Sequence, residues 1–169
     1  MLCVPPPIGF EKIIFNGQVI VEVPDQTHKY GLLLSSTEGD FETNFCKKQP
    51  GIKGVIVSED PCSCSFKHIP KSIGGLCTRR ITDLHDLIDS NENLFLKLDI
   101  KGYEFEWIRN LKINHLQGVD QLILVLYPAN TDQSNCIKKI STTHNLVHCI
   151  ISSNSKYICT YLNKRFFLG

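Results

Sequence analysis

Apolar residues in this chain fall into short unbroken runs separated by polar segments with helical spacing, and that rhythm predicts strands alternating with helices. Residues 12–15 and 18–23 are strand-like and flank Asn16-Gly17, a pair that favours a two-residue hairpin turn because both positions tolerate positive φ. An N-terminal hairpin or extension is therefore expected over residues 1–29, closed by Pro24, with the main domain over 30–169. Leu32-Leu-Leu34 reads as a short buried strand, 41–48 as a helix stopped by Pro50-Gly51, and Gly54-Val-Ile-Val-Ser58 as a second buried strand. Strand, helix, strand is the unit of a parallel crossover.

Residues 62–75 carry no periodicity and are expected to be irregular, with a brief strand at 76–79. Ile81, Leu84, Leu87 and Ile88 then recur at helical spacing behind a cap at Thr82. Residues 94–100 form the third clear strand, 103–111 its helix, and 119–127 a fourth strand apolar enough to be buried on both faces. A weaker helix over 132–143 leads to strands at 146–152 and 157–162, joined by a turn at 153–155. The expected class is α/β: a Rossmann-like, mostly parallel central sheet with helices on both faces and a C-terminal antiparallel hairpin.

With 169 residues, 42% of them hydrophobic, the chain is sized for one globular domain with a real core. Its formal net charge of +1 supplies no global field for nucleic acid or an anionic membrane. Local basic pairs such as Arg79-Arg80 and Lys138-Lys139 read as solvated surface. No apolar run is long enough to span a bilayer, and the opening Met-Leu-Cys-Val-Pro-Pro-Pro lacks the basic and apolar regions of a signal peptide. A cytoplasmic protein is the expectation. Of the eight cysteines, Cys149 and Cys159 fall inside strand-like runs, where free Cys acts as a small hydrophobe, so the thiols are expected to be reduced.

Candidate chemistry gathers at the carboxyl ends of the strands, where open α/β sheets bind ligands. Gly39 and Asp40 follow the first buried strand, Glu59 and Asp60 end the second about twenty residues on, and Asp99 ends the third. A nucleoside cofactor there needs close backbone approach, a carboxylate for its ribose hydroxyls and polar groups near its reactive atom. Lys97, two residues before Asp99, has a plainer reading as an edge lysine or a structural ion pair.

The segment Lys97-Leu-Asp-Ile-Lys-Gly-Tyr-Glu-Phe-Glu-Trp107 resembles the Lys-x-Asp-x-Glu-Gly-x-Glu segment of FkbM-type methyltransferases. In order along the chain, Gly39-Asp-Phe-Glu42 is similar to that family's Gly-Asp-x-x-Phe-Glu loop, and Val57-Ser-Glu-Asp-Pro61 to its Phe-Asp-Pro. Val119-Asp-Gln-Leu-Ile-Leu124 resembles the next strand, and Leu146-Val-His-Cys-Ile-Ile-Ser-Ser-Asn154 the Val-His-x-x-x-Asn close. The resemblance covers residues 30–163 and implies S-adenosylmethionine as cofactor, with methyl transfer to an unidentified oxygen or nitrogen acceptor. It implies that Gly39 and Asp40 lie near the cofactor, that Glu59 and Asp60 lie at the ribose, and that Asp99 lies near the methyl group. Asp99 is then the candidate base or acceptor-orienting group, with Glu104 second.

Two departures support an alternative, a degenerate methyltransferase-like domain acting as a binding or scaffold module. Lys101 stands where the family has Glu, and Val125-Leu-Tyr127 where it has Glu-x-His. A dinucleotide oxidoreductase is disfavoured by the absence of Gly-x-Gly-x-x-Gly and by the closing hairpin. Cys62, Cys64, His68 and Cys77 invite a zinc reading, but their spacing is not that of a zinc knuckle, and no metal site is expected. His144 and His148 read as structural.

Overall fold

The computed structural model describes residues 2–15, 18–22, 29–49, 51–61, 65–128, 133–152 and 155–168. At its centre is a seven-stranded mixed sheet, mostly parallel, made of β3 (Leu32–Ser35), β4 (Lys53–Val57), β5 (Lys67–Ile69), β8 (Leu94–Leu98), β9 (Val119–Leu126), β10 (His144–Ile151) and β11 (Tyr157–Asn163). Their order across the sheet is β10-β11-β9-β8-β3-β4-β5. Strands β5, β4, β3, β8 and β9 run parallel, and β11 is antiparallel to both β9 and β10. The order reverses between β3 and β8, so the chain leaves these adjacent strands toward opposite sides of the sheet and opens a crevice at their carboxyl ends.

Alternation along the strands separates two cores. Leu32, Leu34, Leu94, Leu96, Leu98, Leu122 and Leu124 pack with α2 (His85–Asp89), α3 (Glu104–Asn110) and α4 (Gln133–Ile140) through Ile88, Phe105, Trp107, Ile108, Cys136 and Ile140. Leu33, Phe95 and Ile123 face the other way, onto Phe41 and Phe45 of α1 (Asp40–Lys48) and Ile20 of the N-terminal ribbon. That ribbon, β1 (Glu11–Phe15) paired with β2 (Gln18–Glu22), lies on the sheet beside α1. Its docking is polar as well as apolar. Gln121 of β9 accepts from the Val21 N–H at 2.7 Å and donates to the Val21 carbonyl and the Tyr30 hydroxyl, while the Thr160 hydroxyl donates to the Val19 carbonyl. The buried amide satisfies backbone groups that would otherwise be stranded on the sheet.

The long apolar runs form strands where the pattern predicts them, and the middle of the chain does not follow it. Residues 62–75 are not wholly irregular: they supply β5 at the sheet edge and β6 (Ser72–Ile73), which pairs in parallel with β7 (Ile81–Thr82). No strand forms at 76–79, which are exposed loop, because the pairing partner of β6 lies further on at Ile81. The helix expected from Ile81 is only α2, since Leu84 sits at φ 65, in the left-handed region, and breaks the helical path before it. The cap expected at Thr82 does not form, because Thr82 belongs to β7 and the N-cap is Leu84, which has no side-chain cap bond. Thr82 instead accepts from the Leu84 N–H, and Asp83 from the His85 N–H, in the turn that leads into α2. The hairpin turn at Asn16-Gly17, Pro50, the pair Cys62 and Cys64, and positions 153–154 of the last turn lie outside the described residues. Among the described residues, no helix is long and apolar enough to cross a membrane.

Candidate functional site

Strand β8 is buried throughout and then releases the chain at Asp99. Lys101 and Gly102 follow at φ 54 and φ 104, two successive left-handed residues that turn the chain sharply into α3. Glycine adopts this conformation freely, whereas Lys101 adopts it at a cost of about 1 kcal/mol. Glu104 holds the turn closed. Its buried carboxylate accepts from the Ile100 N–H at 3.0 Å and the Gly102 N–H at 2.9 Å. Burial raises its pKa, with the nearby Asp99 charge adding to the rise and the backbone donors opposing it. Glu104 thus shapes the loop that presents Asp99 and is not among the residues lining the cleft.

The neighbouring strand tip is stitched to this one. The Ser36 N–H donates to the Lys97 carbonyl at 3.1 Å, and the Asp99 N–H donates to the Ser36 hydroxyl at 2.7 Å. Both Asp99 carboxylate oxygens have partners. The Tyr127 hydroxyl donates to Oδ1 at 3.0 Å, and Lys156 Nζ lies 3.6 Å from Oδ2 and over the Tyr127 ring. Burial and then the Asp99 hydrogen bond and charge raise the Tyr127 pKa, with Lys156 opposing, so the phenol keeps its proton and serves as a donor.

Asp99 opens onto a cleft of about 430 Å³ at the carboxyl ends of β3, β4 and β8. Glu59 and Asp60 form its opposite wall. Val57, Ile73, Ile81 and Ile100 contribute apolar surface, and the hydroxyls of Ser58 and Thr78 also line it. Gly74 and Gly75 bring the backbone close: a Cβ on Gly75 would lie 2.4 Å from Asn110 Nδ2 and 2.9 Å from Glu106 Cγ. Lys71 and Lys101 place cations in the same lining.

The structure therefore gathers Glu59, Asp60 and Asp99 into one cleft and keeps Gly39 and Asp40 out of its lining. Those two residues begin α1, both exposed. What the first turn of α1 contributes is Glu42, which accepts from Lys97 Nζ at 2.6 Å and from the Ser35 hydroxyl at 2.8 Å. Lys97 also donates to the Thr37 hydroxyl at 2.8 Å. The pair is almost wholly buried and matches the structural reading of Lys97.

Ser36, Tyr127, Lys156 and the Gly74-Gly75 approach were not legible as site residues. The glycine pair was the one local signal, since adjacent glycines between apolar residues mark close backbone contact. Elsewhere, His68 Nε2 donates to the Ser58 carbonyl at 2.9 Å, which ties β5 to β4. Among the described residues, no cluster of three or more His, Cys, Asp or Glu side chains is arranged to hold a metal ion. Compared with known proteins, the chain matches no family model and no curated protein.

Proposed function

We propose that this chain is an S-adenosylmethionine-dependent methyltransferase domain of FkbM type, acting on an oxygen or nitrogen acceptor. The observation that carries the reading is the convergence of Glu59, Asp60 and Asp99 on one cleft where the strand order reverses. Two further observations support it. Counting only the central sheet's strands in chain order, its sequence is 7 antiparallel between 5 and 6, beside 4, 1, 2 and 3. That is a doubly wound parallel sheet with one antiparallel strand inserted near its edge, the arrangement expected of a Rossmann-like methyltransferase fold. Second, the segment bearing Glu42, at the start of α1, and the strand bearing Lys97, both of which carry the family resemblance, meet in one buried ion pair.

The lining fits the cofactor's chemistry. Glu59 and Asp60 offer acceptors for ribose hydroxyls, Val57, Ile73 and Ile81 offer apolar surface for a flat base, and the Asp99 carboxylate favours a nearby cationic sulfonium. When bound, S-adenosylmethionine supplies an electrophilic methyl group. The protein's contribution is placement of the acceptor and removal of its proton. With Tyr127 and Lys156 on its two oxygens, Asp99 is better arranged to orient an acceptor than to take a proton. The same contacts, with Lys101 in the lining, favour the second reading, a degenerate methyltransferase-like domain acting as a binding or scaffold module.

Calorimetric titration with S-adenosylmethionine and S-adenosylhomocysteine tests the cofactor binding on which the first reading rests. Saturable binding that is lost in Asp60→Ala is expected, and no heat at millimolar ligand overturns the assignment. Conversion of bound S-adenosylmethionine to S-adenosylhomocysteine in the presence of a cell extract as acceptor source separates the enzyme from the module.

A further inference from the structure

At the far edge of the sheet, β10 and β11 place two thiols directly opposite each other. Cys149 and Cys159 are register partners in the antiparallel ladder, and their sulfurs lie 3.3 Å apart. Directly opposed residues in such a ladder have Cα atoms about 4.5–5.5 Å apart, within the span a disulfide tolerates. Closing the bond requires the sulfurs to approach by only about 1.3 Å, a matter of side-chain rotation with the strands in place. The two thiols differ in access. Cys159 is fully buried against the core, whereas Cys149 is half-buried. Burial raises the Cys159 pKa, and the adjacent Cys149 raises it further.

We propose that Cys149 and Cys159 form a thiol–disulfide exchange site that closes to a cross-strand disulfide when it meets a small-molecule disulfide such as oxidised glutathione. The Cys149 thiolate attacks one glutathione sulfur; the glutathione S–S bond breaks, one glutathione leaves, and a mixed disulfide remains on Cys149. Cys159 then gives up its proton and attacks the Cys149 sulfur, displacing the second glutathione. Two protein thiols are oxidised by two electrons, one glutathione disulfide is reduced to two thiols, and the protons lost by the cysteines end on them. Because Cys159 holds its proton tightly, the second step is the slow one and quickens as pH rises. The inference rests on the strand register, the sulfur separation and the burial of the two thiols, and stands whether or not the cleft binds a nucleoside.

The test uses the full chain equilibrated with glutathione redox buffers of increasing oxidised fraction, followed by alkylation and peptide mass mapping. The expected product is a Cys149–Cys159 linked peptide, two hydrogens lighter than the reduced pair and restored by excess reduced glutathione. In Cys159→Ser the reaction should stop at glutathione attached to Cys149, and in Cys149→Ser no glutathione should reach Cys159. Should Cys159→Ser fail to fold, the time course of wild-type protein quenched early provides the same mixed disulfide. Two results overturn the proposal: both thiols still alkylatable in the most oxidising buffer, or Cys149 linked instead to the exposed Cys3 or Cys77.

Discussion

Lys97 and Asp99 stand two residues apart where β8 ends, yet they belong to lysine–carboxylate pairs of opposite character. Lys97 meets Glu42 at 2.6 Å with side chains 6% and 1% exposed, and hydroxyls from Ser35 and Thr37 complete the pair. Lys156 meets Asp99 at 3.6 Å with both side chains about one-fifth exposed, at the wall of a cleft. In the first pair desolvation is complete, so neither charge can lose its partner without being stranded. Water still reaches the second, so its partners can exchange. One strand tip thus carries a sealed pair that fixes the β3–β8 junction and an open pair at the cleft.

Breaking the sealed pair should have the largest effect. Glu42→Ala leaves the Lys97 ammonium buried with only a hydroxyl for company, at an expected cost of about 3–5 kcal/mol in urea unfolding. A loss below about 1 kcal/mol would mean that water enters this region and that the two pairs are alike.

The sealed region of the sheet makes a second prediction, in its pH dependence. His144 is fully buried, with Nε2 donating to the Val119 carbonyl and Nδ1 against the Thr143 hydroxyl. Burial pulls its pKa down to about 4; the Val119 hydrogen bond opposes the fall, and Arg165 and Lys164 add to it. In the unfolded chain the imidazole titrates near 6.5, so as pH falls the unfolded state takes the proton first. Its stabilising contribution is full above about 6.5 and is lost between there and about 4, on the order of 3 kcal/mol in all. Urea midpoints of wild type and His144→Gln at pH 7 and pH 4.5 should diverge, with the variant losing less. Parallel curves would show that the ring gains a partner when charged.

The sealed and open regions also differ in how much the sequence discloses. Strands β3, β4, β8 and β9 were legible because each is a contiguous apolar run whose burial does not depend on knowing its neighbour. Glu59, Asp60 and Asp99 were legible for the same reason, as carboxylates ending such runs. Strand β5 was not: Lys67-His68-Ile69 has no apolar pattern, and only its register against Val55, Ile56 and Val57 makes it a strand. The partners of Asp99 were hidden as well, since Ser36 and Tyr127 reach it from 63 and 28 residues away. No local spacing encodes such meetings. Cys149 and Cys159 read singly as small hydrophobes, although their equal distance from position 154 foretold that a tight hairpin would oppose them.

At the open end, Asp60→Asn should leave the urea midpoint within about 0.5 kcal/mol of wild type, since the residue is exposed. The same change should weaken S-adenosylhomocysteine binding about 10–100-fold, or roughly 1.4–2.7 kcal/mol, by removing a charged acceptor for ribose hydroxyls. Equal affinity in both proteins would remove Asp60 from the site while leaving the fold intact.

The smallest effect, and the sharpest contrast with Glu42→Ala, belongs to Lys156→Gln. Removing the cation from a 3.6 Å pair that water can reach should change stability by less than about 1 kcal/mol, because Tyr127 and solvent still satisfy the carboxylate. Salt should act in the same direction: raising ionic strength from about 0.1 to 1 M shortens the screening length from about 10 to 3 Å and weakens this pair, but not the buried one. The variant should therefore lose the salt sensitivity of wild type while keeping the stability that Lys97 and Glu42 provide. A loss of 3 kcal/mol or more on Lys156→Gln would place Asp99 in the sealed class, and a carboxylate locked in that way could not turn toward an acceptor.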